Sequence, residues 1–154
     1  MKILQRIKGY FTPKPDLIHP VFGELFSDCI GDEDGMWQSS ITFTPTGRII
    51  GLTINAGVDG PTDSQVNFYK KLEANHINEI EFVKPILSKE YLRWFNKPLV
   101  GNVYDVFTLT GVTIPRSGNR INKWSLSFET EEDLNHTFTV YIEGGTPKWC
   151  SVDG

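Results

Sequence analysis

The residues whose type and spacing come closest to chemistry in this chain are carboxylates. Asp32, Glu33 and Asp34 stand side by side with Asp28 just ahead of them, and Glu129, Glu131, Glu132 and Asp133 form a second group. Paired carboxyls can serve as general acid and base when one is held in a dry pocket that raises its pKa. Both groups here lie in polar runs, which read as solvated turns or as acidic loops facing a partner. The first lacks the spaced ligands and closing Glu of an EF-hand loop, so calcium is weakly supported. His19, His76 and His136 stand apart from any nucleophile motif, and G-x-S-x-G, H-E-x-x-H and the P-loop are all missing. Cys29 with a distant His is the residual route to a thiol nucleophile. No catalytic residue, metal site or cofactor is therefore expected.

The totals bound the remaining classes. A chain of 154 residues, 39% hydrophobic and 22% charged, has the size and composition of one globular domain with a real core. A net charge of −4 argues against nucleic acid, which needs a basic face, and leaves room for a basic protein partner. Cys29 and Cys150 make no disulfide framework and show no zinc spacing, so reduced cytosolic thiols and a cytoplasmic location are expected. Residues 1–18 read as a basic N-terminal segment carrying Lys2, Arg6 and Lys8, with too short an apolar run for a secretory signal. A membrane-surface helix there is the lesser reading against a short helix or tail docked on the domain, and no membrane contact is expected. Residues 19–154 read as the domain itself.

The elements that would position these groups follow from periodicity. Thr62 and Gln65 have the capping-box spacing, with Asp63 in the first turn. From there Tyr69, Leu72, Ile80, Val83, Leu87, Tyr91 and Trp94 recur at three or four residues, apart from one wider step over Asn75 and His76. The pattern predicts two helices meeting at Asn75-His76, a kink or second break at Pro85, and an end near Asn96. The aromatics Phe82, Tyr91, Trp94 and Phe95 read as a face lying on a sheet. Strand-like alternation lies on both sides: His19–Phe26, the hairpin of Trp37–Phe43 and Arg48–Asn55, then Val103–Ile114, Trp124–Phe128, Phe138–Ile142 and Lys148–Val152. Gly111 reads as a bulge, and residues 129–135 as an acidic loop. Strands, then helices, then strands predict an α+β fold: an antiparallel sheet of N- and C-terminal strands with the helical segment packed on one face.

The run His19-Pro20-Val21-Phe22-Gly23, the Trp37 strand, the hairpin closed by Gly47 and the helical pair ending near Tyr91 resemble a family of small bacterial domains. Many of its members are similar to the cytoplasmic immunity proteins encoded beside toxins of bacterial competition systems. The likeness spans roughly residues 19–143; Pro85 and the basic N-terminal segment depart from it. It implies a stoichiometric binder that neutralises a cognate toxin by protein–protein contact. Under that reading Asp32, Glu33, Asp34, Glu131, Glu132 and Asp133 steer a basic toxin electrostatically, and an exposed Trp37 or Trp149 anchors it. A small-molecule or peptide-binding module is the alternative, followed by an enzyme with an unrecognised site.

Overall fold

The computed structural model describes residues 13–28 and 35–154. Eight strands form one open sheet whose spatial order is the order of the chain. They are β1 (Leu17–His19), β2 (Gly23–Asp28), β3 (Met36–Phe43), β4 (Arg48–Asn55), β5 (Phe107–Ile114), β6 (Trp124–Thr130), β7 (Asp133–Glu143) and β8 (Thr146–Asp153). Between β4 and β5 come α1 (Asp63–Ala74), α2 (His76–Phe95) and a 3-10 turn at Val103–Asp105. The architecture is α+β. Every neighbouring pair is antiparallel except β4 and β5, which run parallel with Gly51 opposite Gly111 and Leu52 opposite Val112. Parallel neighbours need a crossover of a dozen or more residues, and the helical segment is that crossover.

The local signals act as their chemistry requires. Thr62 Oγ1 accepts from Gln65 N–H, and Gln65 Oε1 accepts from Thr62 N–H at 3.0 Å, closing the capping box. Asn75 ends α1 and begins α2. The hairpin of β3 and β4 pairs along its whole length, from Met36 opposite Asn55 to Phe43 opposite Arg48. Residues 13–18 include most of β1, so Leu17 and Ile18 belong to the sheet, where they pair with Leu25 and Glu24.

One face of the sheet carries the core. Trp37, Phe43, Ile50, Leu52, Ile54, Leu109, Val112, Trp124, Leu126, Phe128, Phe138 and Val140 are all buried at alternate positions. The helices supply Phe68, Tyr69, Leu72, Ile80, Val83, Leu87 and Tyr91 to the same cluster. Ring contacts join the two layers, Phe68 to Trp124 at 5.1 Å and Tyr91 to Phe107 at 5.8 Å. Each such fully buried aliphatic or aromatic side chain contributes about 1.5–3 kcal/mol through its lost contact with water.

Three expectations are corrected. Of the kink or second break expected at Pro85, the break is absent: the helix runs from His76 to Phe95 without interruption. Pro85 is exposed, so the carbonyl one turn back that it leaves without an amide partner is open to water. Phe82 and Trp94 do not join the core face; they are 37% and 43% exposed, while Tyr91 is buried and Phe95 half-buried. Residues 129–135 are not a loop, because strand pairing runs to Thr130 opposite Asp133 and leaves only Glu131 and Glu132 in the turn.

Candidate functional site

The second acidic group splits. Glu131 is exposed at the tip of the β6–β7 turn. Glu132 is occupied within the chain: Lys97 Nζ lies 2.5 Å from one carboxylate oxygen and the Tyr91 hydroxyl donates to the other. Asp133 accepts from Trp94 Nε1 at 3.0 Å, from His136 Nδ1 at 2.8 Å and from Asn135 N–H at 3.1 Å. These contacts hold Glu132 below the usual carboxylate range, first through Lys97 and then Tyr91, and Asp133 likewise, first through His136 and then Trp94. Both groups act as staples fixing the β6–β7 turn to the last turn of α2. Partners inside the fold have largely consumed the steering role expected of them.

Trp37 is also corrected. It is 5% exposed, and its Nε1 donates to Gly57 O at 2.9 Å, so it holds the segment after β4 and presents nothing outward. Trp149 is 40% exposed as an anchor requires. It stacks on Tyr141 with centroids 4.9 Å apart, and Lys123 Nζ lies 5.0 Å from each ring. Asp32, Glu33, Asp34 and Cys29 lie outside the described residues.

The remaining candidates for chemistry have structural roles. His19 Nδ1 accepts from Val21 N–H and Phe22 N–H, closing the β1–β2 turn, and burial lowers its pKa. Burial pushes the Cys150 thiol up to about 12, which leaves it protonated and a poor nucleophile at neutral pH. Among the described residues no three His, Cys, Asp or Glu side chains converge as a metal site would require.

The part of the molecule that does converge is the sheet face opposite the helices. Alternation and register bring Glu24 and Phe26 of β2, Gln38 and Ser40 of β3, Gly51 and Thr53 of β4, Gly111 and Thr113 of β5 and Ser127 of β6 to this side. They line an open hollow of about 470 Å³. A second hollow of about 390 Å³ shares Thr113 and Ser127 and extends it past Thr139 to Tyr141 and Lys123. The trough thus crosses the strands. From β2 to β7 it spans five strand spacings, roughly 24 Å at about 4.8 Å each.

Its floor is made by the paired Gly51 and Gly111. Glycine within a strand costs about 0.5–1 kcal/mol relative to alanine, so its presence there calls for a reason. Backbone conformation is not the reason, since neither residue has positive φ. Crowding is not either. A Cβ on Gly51 would come no closer than 3.8 Å to Thr110 O, and one on Gly111 would meet Ser127 Cβ at 3.4 Å. What the two glycines do is keep the floor low.

The walls carry unused hydrogen-bonding capacity. Among the described residues, the side chains of Glu24, Gln38, Ser40, Thr53 and Thr113 have no hydrogen-bond or ion-pair partner. Ser127 and Thr139 bond each other at 3.0 Å. Glu129 and Asp153, set opposite Thr108 and Thr137, add negative charge to the same face, and Lys123 sets a positive charge over Tyr141. The face is polar, acidic and low in the middle, with an exposed Trp149 at its far margin.

No family model, curated protein or solved structure matches the chain. Among the described residues no helix is long and apolar enough to cross a membrane.

Sequence reasoning missed the trough because it followed the apolar half of each strand. The polar half carried the signal: Gly51 between Ile49 and Thr53, and Gly111 between Thr108 and Thr113, each a strand-interior glycine with a threonine two residues after it. Gly111 does lie beside a register shift after Leu109, which the bulge reading captured. Gly51 has no such shift.

Proposed function

We propose that this chain is a cytoplasmic, stoichiometric binding protein of the immunity type, which neutralises a basic protein toxin by covering it with the helix-free face of the sheet. The reading assigns it no bond-making step and no cofactor. The observation that carries it is the glycine-floored trough, whose side chains keep their hydrogen-bonding capacity unspent on a face of net negative charge. Convergent polar groups without a nucleophile or a perturbed acid–base pair suit recognition better than catalysis. Electrostatic complementarity then supplies association rate and selectivity, and Trp149 with Tyr141 supplies the apolar anchor. Glu131 adds charge at the exposed β6–β7 turn, and Asp32, Glu33 and Asp34 keep the steering role that the resemblance implies.

A small-molecule pocket is favoured by the hollow's volume, which falls in the usual ligand range of about 300–1,000 Å³. Its open and polar walls favour a macromolecular surface, since small-molecule sites enclose their ligand in mostly apolar walls. The test is co-expression with the toxic product of a neighbouring gene. The reading expects growth to be rescued by the parent chain and lost in the triple variant E24K/E129K/D153K with its fold intact. Absence of rescue, or full rescue by the triple variant, would overturn it.

A further inference from the structure

We infer that the trough is built to take a long cationic side chain, arginine or lysine, carried on an extended segment of a protein partner, with its charge at Glu24 and its stem lying over Gly51 and Gly111. This rests on the binder reading and narrows it to a recognised group.

Four observations converge. Glu24 is the one charged side chain lining the hollow of β2 to β6, and among the described residues it has neither an ion pair nor a hydrogen bond. A carboxylate left so beside a hollow repels anions and selects a cation. Phe26 lies on the same strand and face, offering an aromatic surface to a guanidinium or ammonium group. Ser40 lies opposite Gly51, and Gln38 joins Phe26 to Thr53 in the neighbouring row; all three keep their acceptor oxygens unused, and a guanidinium has five N–H donors to distribute. The glycine floor removes what would lift a ligand stem away from the sheet.

The spacing suits this occupant. Gly51 on β4 lies two strand spacings from β2, about 10 Å. An extended arginine or lysine side chain and the Glu24 side chain cover that distance between them. A neutral oligosaccharide fits less well, because Tyr141 and Trp149 stack on each other at the far end of the trough and Phe26, on β2, is the one aromatic ring lining the hollow of β2 to β6.

The experiment titrates the isotopically labelled full chain with the capped pentapeptide Gly-Ser-Arg-Ser-Gly, following the backbone amides of Gln38, Gly51 and Gly111 by NMR. Its counterpart with Glu in place of Arg, and the neutral sugar cellotriose, serve as controls. Saturable shifts are expected with the Arg peptide alone, and E24Q should weaken its binding at least about threefold, the loss of one partly exposed charge-assisted contact. G51V, checked for folding by circular dichroism, should abolish the shifts by filling the floor. E24Q alters only an exposed side chain, so it keeps the test decisive if G51V misfolds. Equal shifts with the Glu peptide, shifts with cellotriose, an undiminished response in E24Q, or no response to the Arg peptide at its solubility limit would each overturn the inference. A flat titration with rescue still dependent on this face removes the cationic side chain and leaves the binder standing. A positive titration without rescue does the reverse.

Discussion

Replacing Gln65 by Met should cost this fold about 3 kcal/mol, roughly 1 kcal/mol for each of three lost hydrogen bonds. Gln65 is fully buried. Its Nε2 donates to Asn55 O at 2.8 Å and to Pro115 O at 3.0 Å, and its Oε1 accepts from Thr62 N–H at 3.0 Å. One side chain thus ties the end of β4, the residue after β5 and the start of α1. Methionine keeps the stem and its packing while removing all three bonds, so the loss reports polar contacts and not a cavity. For a domain of this size each kcal/mol moves the melting temperature about 2–4 °C, so Q65M should melt about 6–12 °C below the parent. Gln65→Glu retains the acceptor for Thr62 but sets a carboxylate against two carbonyl oxygens, and should fall further at neutral pH. Calorimetry on the three proteins decides. A Q65M melting point within about 2 °C of the parent, or a Q65E variant milder than Q65M, would refute the reasoning.

Other perturbations test other parts of the fold. Asp133 is held below its ordinary value of about 4, so the stabilisation it brings is present above that value and fades as pH falls through its folded pKa. Urea midpoints should therefore drop less steeply below pH 5 for D133N than for the parent, and parallel curves would contradict the staple. Gly51→Ala should raise stability by about 0.4–1 kcal/mol, because the backbone is already suited to alanine and a Cβ has room; a destabilised G51A would show that the glycine serves the fold and not the trough. Trp37→Phe removes the bond to Gly57 O and should cost about 1–3 kcal/mol by denaturant titration, whereas W149A, at an exposed edge, should change stability by less than about 1 kcal/mol. Cys150 should resist alkylation in the native protein at pH 8 and react once the chain is unfolded, as peptide mapping would show.

The α+β class was legible because it follows from the order of periodicities, and the capping box and the β3–β4 hairpin because their signals are local. Asn75 announced the junction of the helices for the same reason. The break expected at Pro85 is absent, since the rule against interior proline concerns a lost hydrogen bond, and on an exposed side water meets the freed carbonyl. Phe82 and Trp94 misled because an aromatic at helical spacing can fall at the margin of the apolar stripe. Trp94 sits there with its indole N–H spent on Asp133. The acidic residues Glu132 and Asp133 looked like free surface charge, and nothing nearby in sequence reveals Lys97, Tyr91 or Trp94 as their partners. The candidate site was the least legible part. It is assembled from the polar positions of six strands, and which of them lie side by side depends on the β4–β5 pairing across the helical crossover.

That pairing has a consequence for how the molecule comes to be. Strands β1 to β4 and strands β5 to β8 are two meanders, each built from short-range neighbours, and they are stitched along a single parallel seam. Contacts local in sequence form early and those spanning sixty residues form late, so the seam is the slow join. Gly51 belongs to one meander and Gly111 to the other, and neither half alone carries the trough. The trough is thus complete only with the last closure, and under the binding role proposed above whatever settled across the seam afterwards would act as a clasp on the finished protein.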